Sequence, residues 1–86
     1  MTQNFAQFLR KYIVRSGESV YYFQQQSDVP SGQIYRYIND MSLPSLIMYA
    51  RIMKQIIKQE KNKRDQSTIL IEAHESILQS MQERDK

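Results

Sequence analysis

Residues 19–39 decide the fold: SVYYFQQQSDVPSGQIYRYIN. Ser19 is a helix-capping residue type, because its side-chain oxygen can accept from a free N–H of the first turn. The helix it opens is expected over about residues 20–26, with Phe23 facing inward. Of Tyr21 and Tyr22, one is expected in the core and one at the surface. Ser27, Asp28, Val29 and Pro30 read as a turn. Pro30 fits at or just before the first turn of a second helix, expected over residues 31–39. In that helix Ile34, Tyr37 and Ile38 share one side, while Gly32, Tyr35, Arg36 and Asn39 face away.

Outward from this segment the periodicity stays helical. Phe5, Phe8, Leu9, Tyr12 and Ile13 form one apolar stripe that stops at Ser16-Gly17, where glycine tolerates a left-handed C′ position. Pro44-Ser45 opens another helix, with Leu46, Tyr49, Ala50, Met53, Ile56 and Ile57 expected inward. Residues 58–66 (KQEKNKRDQ) are charged and amide-rich. They suit either a solvated extension or a linker, with a break expected near residues 62–66 because Asn and Asp favour helix ends. A last helix is expected from residue 67 to about 82, with a narrow stripe of Leu70, Ala73 or His74, Ile77 and Met81 at heptad-like spacing. The expected fold is therefore all-α: four or five helices and a C-terminal helix. The expected organisation is a domain over residues 1–60, a charged connection over 61–66 and a C-terminal element over 67–86.

Charge is unevenly placed. Residues 1–64 hold ten Lys/Arg against four Asp/Glu, whereas residues 65–86 hold two against five. The basic part suits a polyanion and the acidic tail does not. There is no cysteine, hence no disulfide framework or thiolate metal site. No glycine-rich phosphate loop occurs. The lone histidine, His74, has Glu72 and Glu75 beside it at a spacing unlike that of zinc proteases. No catalytic residue, metal or cofactor is expected, and the protein is not read as an enzyme. The N-terminus shows no basic and apolar leader and no stretch long enough to span a membrane, so a cytoplasmic protein is expected.

Two short helices joined by a tight turn and flanked by further helices meet the demands of a helix-turn-helix. There the second helix lies in the major groove and the first crosses the backbone. Phe23, Val29, Ile34 and Tyr37 supply the apolar inner face; Ser31, Gln33, Arg36 and Asn39 supply polar groups in the reading segment.

At this point the chain resembles the Cro and phage-repressor (XRE-type) helix-turn-helix family, whose fold is lambda-repressor-like. The likeness covers about residues 5–57 and rests on Val29, Ile34, Arg36, Asn39, Pro44, Ser45 and Leu46. The sequence departs from the pattern at several positions: Glu18 replaces a usual leucine, Val20 a phosphate-contacting glutamine, Gln24 a small alanine, and Asp28 and Asp40 common glycines.

The resemblance implies a bacterial, phage or plasmid transcription regulator, such as a repressor, that binds double-stranded DNA and associates with the nucleoid when bound. It implies base contacts from Ser31, Gly32, Gln33 and Arg36, with Arg36 the main reader. Phosphate contacts are implied for Ser19 and Asn39, and Tyr35 is placed with them as a backbone contact. A marginal helix of the tail's length needs a docking surface, so Leu70, Ala73, Ile77 and Met81 are expected at a homodimer or partner interface. The alternative reading is a protein-interaction module on the same scaffold, antirepressor- or antitoxin-like, with weak or lost DNA binding.

Overall fold

The computed structural model describes residues 3–85 as five helices, α1 (Phe5–Ser16), α2 (Val20–Ser27), α3 (Gln33–Ile38), α4 (Leu46–Gln59) and α5 (Lys63–Arg84), with no strand among them. The protein is all-α, as the periodicity predicts. Each boundary has a chemical cause. Asn4 opens α1 with a reciprocal capping box to Gln7, and Gly17 closes it at φ 75°. Ser19 Oγ accepts from the Tyr22 amide at 3.0 Å. Ser45 Oγ does the same for Met48 at 3.2 Å, and the Asn62 side chain caps α5 through the Arg64 amide at 2.9 Å. Each such cap is worth about 1 kcal/mol.

The core joins all five helices. The α1 stripe Phe5, Phe8, Leu9, Tyr12 and Ile13 is buried, as expected, against Phe23, Val29, Ile34, Tyr37, Ile52, Met53, Ile56, Ile69 and Ala73. Full burial of one large apolar side chain contributes roughly 1.5–3 kcal/mol. Phe5 and Phe8 stack with ring centroids 5.9 Å apart.

Five expectations need correction. Helix α3 starts at Gln33, two residues later than read, because Gly32 sits at φ 85° and cannot continue a right-handed helix. Tyr21 and Tyr22 are both exposed; α2 turns Phe23, Gln24 and Ser27 inward instead. The α4 stripe is rotated. Ile52 is fully buried, while Ala50 is exposed and Leu46 is 82% exposed. The inward set is Tyr49, Ile52, Met53 and Ile56, which keeps i, i+3, i+4, i+7 spacing on a neighbouring face. The break between α4 and α5 falls at residues 60–62, so most of the expected connection is the first turn of α5. Gln66 fixes that corner from inside the helix, donating to the Glu60 carbonyl at 2.6 Å and to the Ile57 carbonyl at 3.2 Å.

The fifth correction concerns α5, whose inward side is not its large apolar side. Ile69, Ala73, Ser76 and Ser80 are buried, and Leu70 and Met81 lie at the surface. Both stripes have heptad-like spacing. The small one wins because α1 presents Phe5, Phe8 and Tyr12, which leave little room for large partners. Ser80 Oγ also accepts from the Phe5 backbone amide at 2.8 Å, satisfying a donor that the start of α1 would otherwise leave free. Ala73 therefore belongs to the core of its own chain and not to an exposed interface.

A carboxylate clasp completes the docking of α5. Glu72 accepts from Lys11 Nζ, from Gln3 Nε2 and, at 2.9 Å, from the Tyr12 hydroxyl. Burial alone would raise the Glu72 pKa, but the bonds from Lys11, Tyr12 and Gln3 outweigh it and hold the carboxyl below its ordinary value. Tyr12 is pushed up to about 12, by burial first and by its bond to Glu72 second.

Candidate nucleic-acid interface

Helices α2 and α3 are joined by residues 28–32. Asp28 takes the left-handed conformation at φ 59° and ends α2, its N–H bonding back to Gln24 and Gln25 carbonyls. Aspartate is one of the few side chains that tolerate this geometry. Val29 is buried beneath the turn.

Gln24 then locks the motif. Its side chain is only 5% exposed, and its Oε1 accepts from the Gly32 amide at 2.9 Å. No side chain of the N-cap residue caps α3; the bond from the preceding helix satisfies the amide of the N-cap residue, Gly32, itself. Sequence reading treated Gln24 only as a misfit for a small residue. A buried amide facing a turn of backbone N–H groups is the signal that would have found its role.

The far end of α3 is also closed. The Met41 amide bonds the Arg36 carbonyl at 2.9 Å and the Asp40 amide bonds the Tyr37 carbonyl at 3.1 Å. With Asp40 left-handed at φ 56°, this is a Schellman motif. Two guanidiniums gather there: Arg10 donates to the Ile38 carbonyl, and Arg84 donates to the Asp40 carbonyl at 3.1 Å and its carboxylate at 3.2 Å. Cations at a helix C-terminus meet its partial negative charge. Arg84 was missed because it lies in the acidic tail; only the folded chain brings it to α3.

The inner face of α3 holds Ile34 and Tyr37, both buried. Burial pushes the Tyr37 hydroxyl pKa up, and Arg36 partly counters it. The outer face holds Tyr35, Arg36 and Asn39, all exposed. None of the three makes a side-chain hydrogen bond or ion pair within the described residues. Asn39 is the C-cap residue through its backbone, which leaves its amide group facing outward. Ser31 and Gly32 are exposed in the turn ahead of α3, and Gln33 is half-buried at its first position. Ser19 is exposed, with its oxygen engaged by the Tyr22 amide. Ser31, Gly32, Gln33, Tyr35, Arg36 and Asn39 thus share one short segment, while Ser19 stands at the start of α2.

The residues expected at a subunit interface divide. Leu70 and Met81 are 47% and 50% exposed, Ile77 is half-buried, and Ala73 is inaccessible. Ile71 and Leu78 are exposed beside them. Across from this face, Pro44, Leu46 and Tyr49 of the α4 entrance border an apolar groove with His74 and Ile77. Among the described residues no helix is long and apolar enough to cross a membrane, and no cluster of side chains is arranged to hold a metal ion.

Compared with known proteins, the chain matches no family model, no curated protein and no solved structure.

Proposed function

We propose that this protein is a sequence-specific DNA-binding regulator of the Cro and phage-repressor type, inserting α3 into the major groove. The observation that carries this reading is the outer face of α3. Tyr35, Arg36 and Asn39 project from a helix whose two ends and inner side are fixed, and their polar groups have no competing partner among the described residues. A fixed helix with uncommitted donors is what direct readout requires. An arginine there can bond guanine O6 and N7 together, worth roughly 1–3 kcal/mol of discrimination. Ser31 and Gln33 lie at the reading end, Gly32 permits close backbone approach, and Ser19, Tyr35 and Asn39 suit phosphate oxygens. No reaction, metal or cofactor belongs to this function, and its place is the cytoplasm, on the nucleoid when bound.

The acting unit in this proposal is a homodimer through the outer side of α5. That side carries Leu70, Ile71, His74, Ile77, Leu78 and Met81, with Glu75 at its edge beside Ile71 and Leu78, so its middle offers a second copy an apolar strip. Leu46 projects beside an apolar groove. A knob next to a groove on the same patch suits an isologous pairing, in which each copy fills the other. Dimers of this kind read half-sites about 10 bp apart. The same face also supports the second reading, a partner-binding module of antirepressor or antitoxin type.

A polarisation titration with random duplex at low and moderate salt separates the two. Phosphate-led binding weakens steeply with salt by counterion release. Absence of binding at low salt contradicts the DNA reading and leaves the partner module.

A further inference from the structure

Arg84 is the last residue of α5, and it binds the residue at which the chain leaves α3. One nitrogen of its guanidinium donates to the Asp40 backbone carbonyl at 3.1 Å and to the Asp40 carboxylate at 3.2 Å. Asp40 is the left-handed residue of the closure of α3. Arg84 thus holds both the main chain and the side chain of that residue. Helix α3 has six residues, and so short a helix depends on contacts outside itself. Arg84 supplies one of them from 44 residues away.

Arg84 also belongs to the proposed subunit face. It stands seven residues after Ile77 and three after Met81, so it continues the stripe of Leu70, Ile77 and Met81. The connection that follows Asp40 borders the same face, since Pro44 and Leu46 line a groove with His74 and Ile77. The last turn of a helix opens readily unless it is tied down. Here the ties are Ser80 Oγ, which accepts from the Phe5 amide at 2.8 Å, and Glu83, which accepts from Asn4 Nδ2 at 3.0 Å. A second copy covering Met81 adds to them. It also draws water away from the Arg84–Asp40 pair. In the single chain the two side chains are 39% and 45% exposed, where an ion pair contributes little. Excluding solvent strengthens the attraction.

We propose that Arg84 couples subunit association to the placement of α3. A second copy on the α5 stripe steadies the last turn of α5, Arg84 is held with it, and Asp40 then fixes the exit of α3. This coupling rests on the homodimer proposed above, but its structural half does not depend on whether α3 reads DNA. In the DNA reading, linkage requires that duplex binding and dimer formation favour each other. Arg84 is in this scheme a positioning residue and touches no base.

The test is hydrogen exchange at the Asn39, Asp40 and Met41 amides of the full chain over a range of protein concentration, with the dimer fraction measured by sedimentation. Protection should rise with dimer fraction by about fivefold, the upper end for an exposed ion pair. Arg84→Ala, compared at equal dimer fraction, should abolish the rise, and Arg84→Lys should restore most of it. By reciprocity Arg84→Ala should weaken dimerisation by no more than the same factor. Protection that ignores dimer fraction, the same rise in Arg84→Ala, or complete loss of the dimer in that variant would each overturn the proposal. A wild-type chain that stays monomeric would overturn it together with the dimer. Absence of duplex binding at low salt would count against the DNA reading alone, and the exchange data would still decide the coupling.

Discussion

Gln24 Oε1 and the Gly32 amide are joined across the turn between α2 and α3 by a 2.9 Å hydrogen bond. The bond ties the helix that crosses the backbone, in the proposed function, to the helix that reads bases. Gln24→Ala leaves the Gly32 donor without its protein partner and empties a buried volume. The expected loss is about 1–2 kcal/mol of stability, read from urea melts, with faster hydrogen exchange at the start of α3. Unchanged stability together with unchanged exchange would show that the bond does not hold the motif.

Arg36→Ala should reduce the preference for a selected duplex over a random one by about 1–3 kcal/mol. Binding to random duplex should fall much less. Competition polarisation measures both. An equal loss in each would mean that Arg36 meets phosphate alone.

The two stripes of α5 predict opposite consequences for the same chemistry. Leu70→Glu or Met81→Glu places a charge on an already exposed site, so the fold should persist while the sedimenting species becomes a monomer. Ala73→Glu places a charge where no surface is available. That variant should fail to fold, since burying an unpaired carboxylate costs several kcal/mol. A folded Leu70→Glu protein with undiminished dimerisation would remove α5 from the interface.

Glu72 makes stability depend on pH at the acid end. Burial raises its pKa, but its bonds from Lys11, Tyr12 and Gln3 lower it further, so its folded value lies below the unfolded one. Its contribution is fully present above the unfolded carboxylate pKa and is lost as pH falls through the folded value. Tyr12 acts at the alkaline end. Its folded pKa of about 12 exceeds the unfolded value of about 10, so its contribution holds below about 10 and is lost as pH rises through 12. Glu72→Gln should flatten the acid limb of a Tm-versus-pH curve. An unaltered acid limb would show that the clasp is not formed in solution.

Much of the fold was legible because it rests on local signals. The stripe from Phe5 to Ile13, the caps Ser19 and Ser45, and the stop at Gly17 each depend on a few neighbouring residues. Choices between two acceptable faces were not legible. In α5 both Leu70/Ile77/Met81 and Ile69/Ala73/Ser76/Ser80 have the spacing of a buried stripe, and only the bulk of Phe5, Phe8 and Tyr12 on α1 selects the second. In α4 the same ambiguity put Leu46 and Ala50 where Ile52 belongs. For the reading face, the outward placement of Tyr35, Arg36 and Asn39 followed from helical period. The late start of α3 did not, because it depends on the left-handed Gly32 and on Gln24 arriving from another helix. Arg84 was beyond local reading altogether, lying 44 residues from Asp40 along the chain.

The central claim is that α3 reads DNA sequence as part of a twofold unit. Selection of bound sequences from a random duplex pool by the full-length protein tests it most directly. The account predicts enrichment of a near-palindrome with half-sites about 10 bp apart, and loss of preference at one position per half-site in Arg36→Ala. A pool that emerges unenriched at low salt would contradict it.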